Sequence, residues 1–184
     1  KRIMAFYRKC VQRHLYVFGR EKVFLSKNPV FSFKVEALNE TFPDSRIVCI
    51  VRTPLETVPS AFSYMTYFYD VFCSRRADSP SGAFIHELLS RWYRYPTDKV
   101  GRMPEGRGVI LKYDDLVSDP SECVLNCLDS MGYSAGEDTR KMLKVEKERA
   151  RTFKSKHAYS FEATGLTPEQ VAEEYADVIA QFGF

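Results

Sequence analysis

Residues 46–60, RIVCIVRTPLETVPS, constrain this chain more than any other stretch. Arg46 to Val51 is almost wholly apolar and β-branched, which predicts a strand buried on both faces of a parallel sheet. Thr53-Pro54-Leu55-Glu56 follows at once. Thr predicts a helix cap, Pro suits the first helical position, and Glu at the third completes a capping box. A buried strand leading through a tight turn into a capped helix is the unit from which α/β sheets are built. Such sheets bind ligands at the carboxyl ends of their strands. Arg52 is predicted at that edge, where the helix that follows directs free N–H groups and positive dipole. Arg adds a fixed charge and a forked set of donors. Ser60, two turns along, can face the same place, and the ligand these parts suit is a phosphate. The competing reading is an Arg paired with a surface carboxylate and a Ser bonded within its helix. Pro59 inside the predicted helix deletes a backbone bond at a cost of ~3 kcal/mol. Breaches of local rules concentrate at functional sites, which favours the phosphate.

The rest of the chain is consistent with one domain over residues 1–184. Capping boxes recur at Asp119-Pro120-Ser121-Glu122 and Thr167-Pro168-Glu169-Gln170. Ile3, Phe6, Tyr7, Cys10, Val11 and Leu15 repeat at three and four, with Arg2, Arg8, Lys9 and Arg13 between them, so a helix is expected from the first residues. Because the chain opens on Lys1 already in helical rhythm, an upstream segment is expected to precede it, with any leader or anchor. Lys22–Ser26 reads as a short strand, closed by Asn28-Pro29, which caps a helix to about Thr41. Further helices are expected at Ala61–Phe72, Phe84–Tyr95, Pro120–Met131 and Glu137–Glu148. Val109–Lys112 is the third strand, and Pro96–Gly108 reads as turns. Arg149–Thr164 reads as a loop. The last helix places Val171, Tyr175, Val178 and Phe182 on one face.

Composition narrows the function classes. Twenty-seven basic against 24 acidic residues leave a net charge of +3, too mild for a nucleic-acid binder but compatible with a local basic pocket. The five cysteines are widely spaced with no CxxC, so no metal is expected and a reducing compartment such as the cytoplasm is the simpler reading. A removed amino-terminal anchor would make the Golgi lumen the alternative. No stretch approaches the ~20 apolar residues of a membrane span.

Four further features bear on chemistry. Lys27, in Ser26-Lys27-Asn28-Pro29, also follows a predicted strand and precedes a capped helix, so it can project from the same edge as Arg52. Otherwise it is a solvated Lys in a turn. Tyr113, in ILKYDDLVSDP, follows a strand and can stack on or hydrogen-bond a ligand, while Asp114 and Asp115 read as turn and cap residues. Residues 153–159, FKSKHAY, gather Lys154, Ser155, Lys156, His157 and Tyr159 in a donor-rich segment that could close over an anion. His157 is the candidate base there, or else a surface His. Gly101 to Gly108, GRMPEGRG, imitates the spacing of a nucleotide P-loop. It lacks the Lys-Ser/Thr ending and precedes a strand rather than following one, so it is read as a turn.

Taken in order, SKNP, FPDSRIVCIVRTPLETVPSAF, ILKYDDLVSDP and SKHAYSFEATGL resemble blocks of the sulfotransferase superfamily, in the group related to the tyrosylprotein enzymes. The resemblance runs from about Val23 to Phe184. It implies a P-loop NTPase-like α/β fold, a three-layer parallel sheet flanked by helices, amino-terminally incomplete. The implied donor is 3′-phosphoadenosine 5′-phosphosulfate, with no metal. Arg52 and Ser60 would hold its 3′-phosphate, Tyr113 would lie near the adenosine, and Ser155 and His157 would add donor contacts. Lys27 would act at the sulfuryl bridge. The loop that carries a catalytic His in cytosolic members has Asn28 here, so a His base at that position is not expected. The Gly-rich loop for the 5′-phosphosulfate is not among these residues, so this stretch alone is expected to be inactive. The implied reaction is in-line sulfuryl transfer to a hydroxyl or amine of a small-molecule, carbohydrate, lipid or peptide acceptor. A nucleotide kinase of similar architecture and an inactive nucleotide- or partner-binding module are the rival readings.

Overall fold

A computed structural model describes residues 1–72, 82–152 and 159–184. Helix α1 (Arg2–Phe18) leads through an irregular segment to a 3₁₀ turn (Pro29–Lys34) and α2 (Val35–Thr41). Strand β1 (Ile47–Val51) is followed by α3 (Pro54–Phe72) and α4 (Gly82–Gly101), which cross over to β2 (Gly108–Lys112). Helices α5 (Tyr113–Ser118), α6 (Pro120–Ser130), α7 (Glu137–Thr152), α8 (Pro168–Glu174) and α9 (Ala176–Phe182) complete the chain, with a 3₁₀ turn at Glu162–Thr164. The two strands pair in parallel, Ile47 opposite Gly108 through Val51 opposite Lys112. The α/β class expected from the sequence is therefore present, with more helix than sheet.

The core lies where α3, α4, α8 and α9 meet. Val58, Ile85, Leu89, Tyr93, Val171, Tyr175 and Val178 form one buried cluster, flanked by Phe62, Met65 and Phe182. The predicted face Val171–Tyr175–Val178 is therefore the buried one, although the helix breaks at Tyr175 into α8 and α9. Thr167 and Gln170 form the reciprocal capping box at its start. Arg94 reaches from α4 to grip Asp177 through two bonds of 2.8 and 2.9 Å and the Glu174 carbonyl at 2.8 Å. This fork-to-fork pair locks the carboxyl-terminal helices onto α4.

Four expectations need correction. Lys22–Ser26 forms no strand: β1 pairs with β2 alone among the described residues, and Val23 and Leu25 stay exposed. An extended segment becomes a strand only when a neighbour accepts its ladder bonds. Strand β1 is covered on one face rather than two. α4 packs against the sheet, while Val48 and Ile50 on the other face are exposed. Helix α4 runs through Pro96 to Gly101 instead of ending at Tyr95. Pro96 and Thr97 are both buried there, and the Thr97 hydroxyl donates to the Tyr93 carbonyl at 2.6 Å. Burial against the sheet thus outweighs the ~3 kcal/mol intrinsic cost of an interior Pro. Finally, α7 continues to Thr152, into the segment read as a loop.

No helix among the described residues is long and apolar enough to cross a membrane.

Candidate functional site

Parallel pairing puts the carboxyl ends of β1 and β2 side by side. Val51 is opposite Lys112, so the next residue of each chain segment, Arg52 and Tyr113, emerges at the same edge. The Arg52 guanidinium lies over the Tyr113 ring, 4.6 Å from its centre. Arg52 Nε also donates to Glu56 Oε2 at 2.6 Å, an i,i+4 pair across the first turn of α3. The capping box expected at Thr53 and Glu56 is therefore not the one formed, because the Glu56 carboxylate is drawn to the stronger charge-assisted donor. Thr53 closes the turn through its carbonyl, which accepts from the Glu56 and Thr57 N–H groups at 3.1 and 3.0 Å. The two terminal amino groups of Arg52 have no acceptor among the described residues, and the side chain is partly exposed. A stacked and tethered guanidinium with its amino fork open has the donor geometry that a bidentate anion requires.

The backbone beneath Arg52 is fixed from α4. The Tyr93 hydroxyl donates to the Arg52 carbonyl at 2.6 Å. Burial pushes that phenol up to about 12 from its ordinary 10.0, so it keeps its proton and its role as donor. One residue earlier, Trp92 Nε1 donates to the Pro29 carbonyl at 3.2 Å, and the Trp92 ring stacks on Phe33 at 5.5 Å. Adjacent residues of one helix thus anchor the backbone under Arg52 and the turn that follows Lys27. Asn28 caps that turn, its Oδ1 accepting from the Val30 N–H at 3.1 Å. Lys27 itself is exposed and makes no ion pair or hydrogen bond among the described residues.

Ser60 lies on α3 directly after the buried Pro59, half-buried, with no hydrogen bond from its hydroxyl among the described residues. A helix hydroxyl ordinarily bonds the carbonyl one turn back, as Thr57 does to Thr53 at 3.1 Å. Asp114 and Asp115 occupy the first turn of α5, where acids suit the dipole, in keeping with a structural role. Ser155 and His157 lie outside the described residues.

Arg52 and Tyr113 are thus brought into contact and Ser60 shares the helix Arg52 introduces, whereas Lys27, with no strand before it, is joined to them by no contact among the described residues. Glu56 is the surface carboxylate that the competing reading paired with Arg52, four residues on at the spacing of a helical ion pair. Sequence reasoning missed one contributor. Tyr93 lies 41 residues from Arg52 and carried no local signal.

The profile of the family described as "Sulfotransferase family" matches residues 2–138. The chain is 26% identical over 178 residues to omega-hydroxy-beta-dihydromenaquinone-9 sulfotransferase Stf3 of Mycobacterium bovis and, to the same degree, of Mycobacterium tuberculosis. The alignment covers 91% of this chain and 42% of each relative, so the chain spans less than half the length of the curated relatives it matches. Its fold is similar to the crystal structure of sulfotransferase STF9 from Mycobacterium avium, with a TM-score of 0.64 at 20% identity over 85% of this chain and 41% of that one.

Proposed function

The chain belongs to the sulfotransferase family, and on that premise we propose that it holds the 3′-phosphate of 3′-phosphoadenosine 5′-phosphosulfate, within a whole protein that transfers the sulfuryl group to a hydroxyl. The observation that carries this reading is the Arg52 guanidinium stacked on Tyr113 at the carboxyl edge of the paired strands, its amino fork open.

The open fork of Arg52 takes two phosphate oxygens, and the unbonded Ser60 hydroxyl donates to the same group. Tyr113 holds the guanidinium plane and bounds the adenosine side. Glu56 occupies Nε and leaves the edge between the two amino groups of Arg52 for a bidentate phosphate. Lys27 neutralises charge that develops on the bridging oxygen as the acceptor oxygen bonds to sulfur and the sulfur–bridge bond breaks. The electron pair of that bond leaves on the 5′-phosphate, and the acceptor proton goes to a base. Ser155 and His157 are assigned further contacts to the donor. Positioning and charge stabilisation supply the rate, as in phosphoryl transfer.

The acceptor is proposed to be the hydroxyl of an apolar molecule. The curated relatives are named for an omega-hydroxylated dihydromenaquinone, and α3 continues from Ser60 into Phe62, Tyr64, Tyr67, Phe68 and Phe72, several of them exposed. Aromatic side chains give such a molecule a wall with little loss of side-chain entropy.

Calorimetric titration with adenosine 3′,5′-bisphosphate and with adenosine 5′-monophosphate tests the central assignment. The bisphosphate is expected to bind at least about tenfold more tightly, the effect of charge-assisted bonds to one phosphate. Equal affinities would sink it.

A further inference from the structure

Helix α1 carries two apolar strips, and the fold uses one. Met4, Tyr7, Val11 and Leu15 face inward, with Met4 and Val11 buried and Tyr7 edge-on to Phe31 and Phe42. Ile3, Phe6, Cys10 and Val17 fall on an adjoining arc of about 60°. All four are exposed, Ile3 at 66%, Phe6 at 68% and Val17 at 70%. Arg2, Lys9 and Arg13 run along the outer border of this second strip.

Charge is segregated in the same place. Residues 1–22 hold seven cations (Lys1, Arg2, Arg8, Lys9, Arg13, Arg20, Lys22) and one acid, Glu21, a net of +6. The whole chain has +3, so the other 162 residues sum to −3. None of the seven forms an ion pair among the described residues, a state shared elsewhere by Lys27, Lys34, Lys112 and Lys144, while Arg52, Arg91, Arg94, Lys99, Arg102, Lys141, Lys147, Arg149 and Arg151 are paired. The neighbouring α2 forms no ion pair with them among the described residues: its Glu36 is taken by Lys99 and Tyr95, and its exposed Glu40 reaches none of the seven.

From this pairing of an exposed apolar strip with unpaired cations along its border, we propose that α1 docks the protein on an anionic lipid surface. Ile3, Phe6 and Val17 enter the headgroup boundary while Arg2, Lys9 and Arg13 meet lipid phosphates. A strip that served only to bind another protein surface through apolar contact would have no use for a border of unpaired like charges. The inference rests on α1 alone and is independent of the donor site.

The test is co-sedimentation of the 184-residue chain with vesicles of phosphatidylcholine and of phosphatidylcholine mixed equally with phosphatidylglycerol. Binding is expected to the anionic vesicles and to fall steeply with salt. Each cation at the surface is worth about fivefold, so Lys9→Ser with Arg13→Ser should weaken binding roughly 25-fold. Phe6→Ser with Val17→Ser should weaken it at least tenfold without changing the thermal melt, because both side chains are exposed. Equal binding to the two vesicles, no binding to either, or indifference to both double variants would overturn the proposal. A concentration-dependent dimer that the Phe6 and Val17 changes abolish, in a chain that ignores vesicles, would assign the strip to a second copy instead.

Discussion

Replacing Tyr93 by Phe removes a single oxygen from the position that joins the site to the core. The ring remains to pack edge-on against Tyr175, 5.4 Å between centres, and the lost group is the donor to the Arg52 carbonyl at 2.6 Å. A net hydrogen bond is worth about 0.5–1.5 kcal/mol, and an orphaned acceptor adds a desolvation penalty of about 1–3 kcal/mol. Because the carbonyl sits at the strand–helix junction where solvent can partly relieve it, the expected loss is about 2 kcal/mol. For a chain of this size that lowers Tm by about 4–8 °C. Urea unfolding followed by circular dichroism should show a lower midpoint with an unchanged slope. The pH profile supplies a second reading. The folded state keeps the Tyr93 proton up to about 12, whereas the unfolded chain loses it near 10.0. That contribution is complete below pH 10 and is lost as pH rises toward about 12. The variant should therefore be weaker at neutral pH and decline less steeply above pH 10. An unchanged midpoint at neutral pH, or an alkaline slope identical to the parent, would refute the reasoning.

Ser60→Ala should leave Tm within about 1 °C, since its hydroxyl bonds nothing in the described fold, yet weaken adenosine 3′,5′-bisphosphate about tenfold and leave the 5′-monophosphate unchanged by calorimetry. Gly108→Ala should destabilise by about 3 kcal/mol or more, or fail to fold. A Cβ there would collide with the Val100 carbonyl oxygen and stand 3.0 Å from Met103 Cβ, as a denaturation midpoint will record. Thiol labelling near neutral pH, mapped by peptide mass spectrometry, should modify exposed Cys10 well before Cys49, whose thiol burial pushes up to about 11.

The parts of the site legible in the sequence were those set by local rules. The meeting of Arg52 and Tyr113 was legible because each directly follows an apolar strand, and parallel pairing then joins them. The Thr167 capping box and the Val171–Tyr175–Val178 face were legible for the same reason: cap chemistry and helical spacing act within a few residues. The missed parts depend on contacts across the chain. Lys22–Ser26 has strand composition, but no ladder partner among the described residues turns it into one. Pro96 signals a helix end, yet burial on the sheet carries α4 past it. RIVCIV reads as doubly buried, but composition cannot say which neighbours cover Val48 and Ile50. Tyr93 becomes informative only once α4 lies beside β1.

The central claim is that Arg52 recognises a 3′-phosphate. It is tested most directly by a cycle of two proteins and two ligands: the parent and Arg52→Ala, each titrated with adenosine 3′,5′-bisphosphate and with adenosine 5′-monophosphate. The account predicts a preference of about ten- to a hundredfold for the bisphosphate in the parent that collapses to near unity in the variant, with monophosphate affinity little changed. A preference that survives the loss of Arg52 would contradict it.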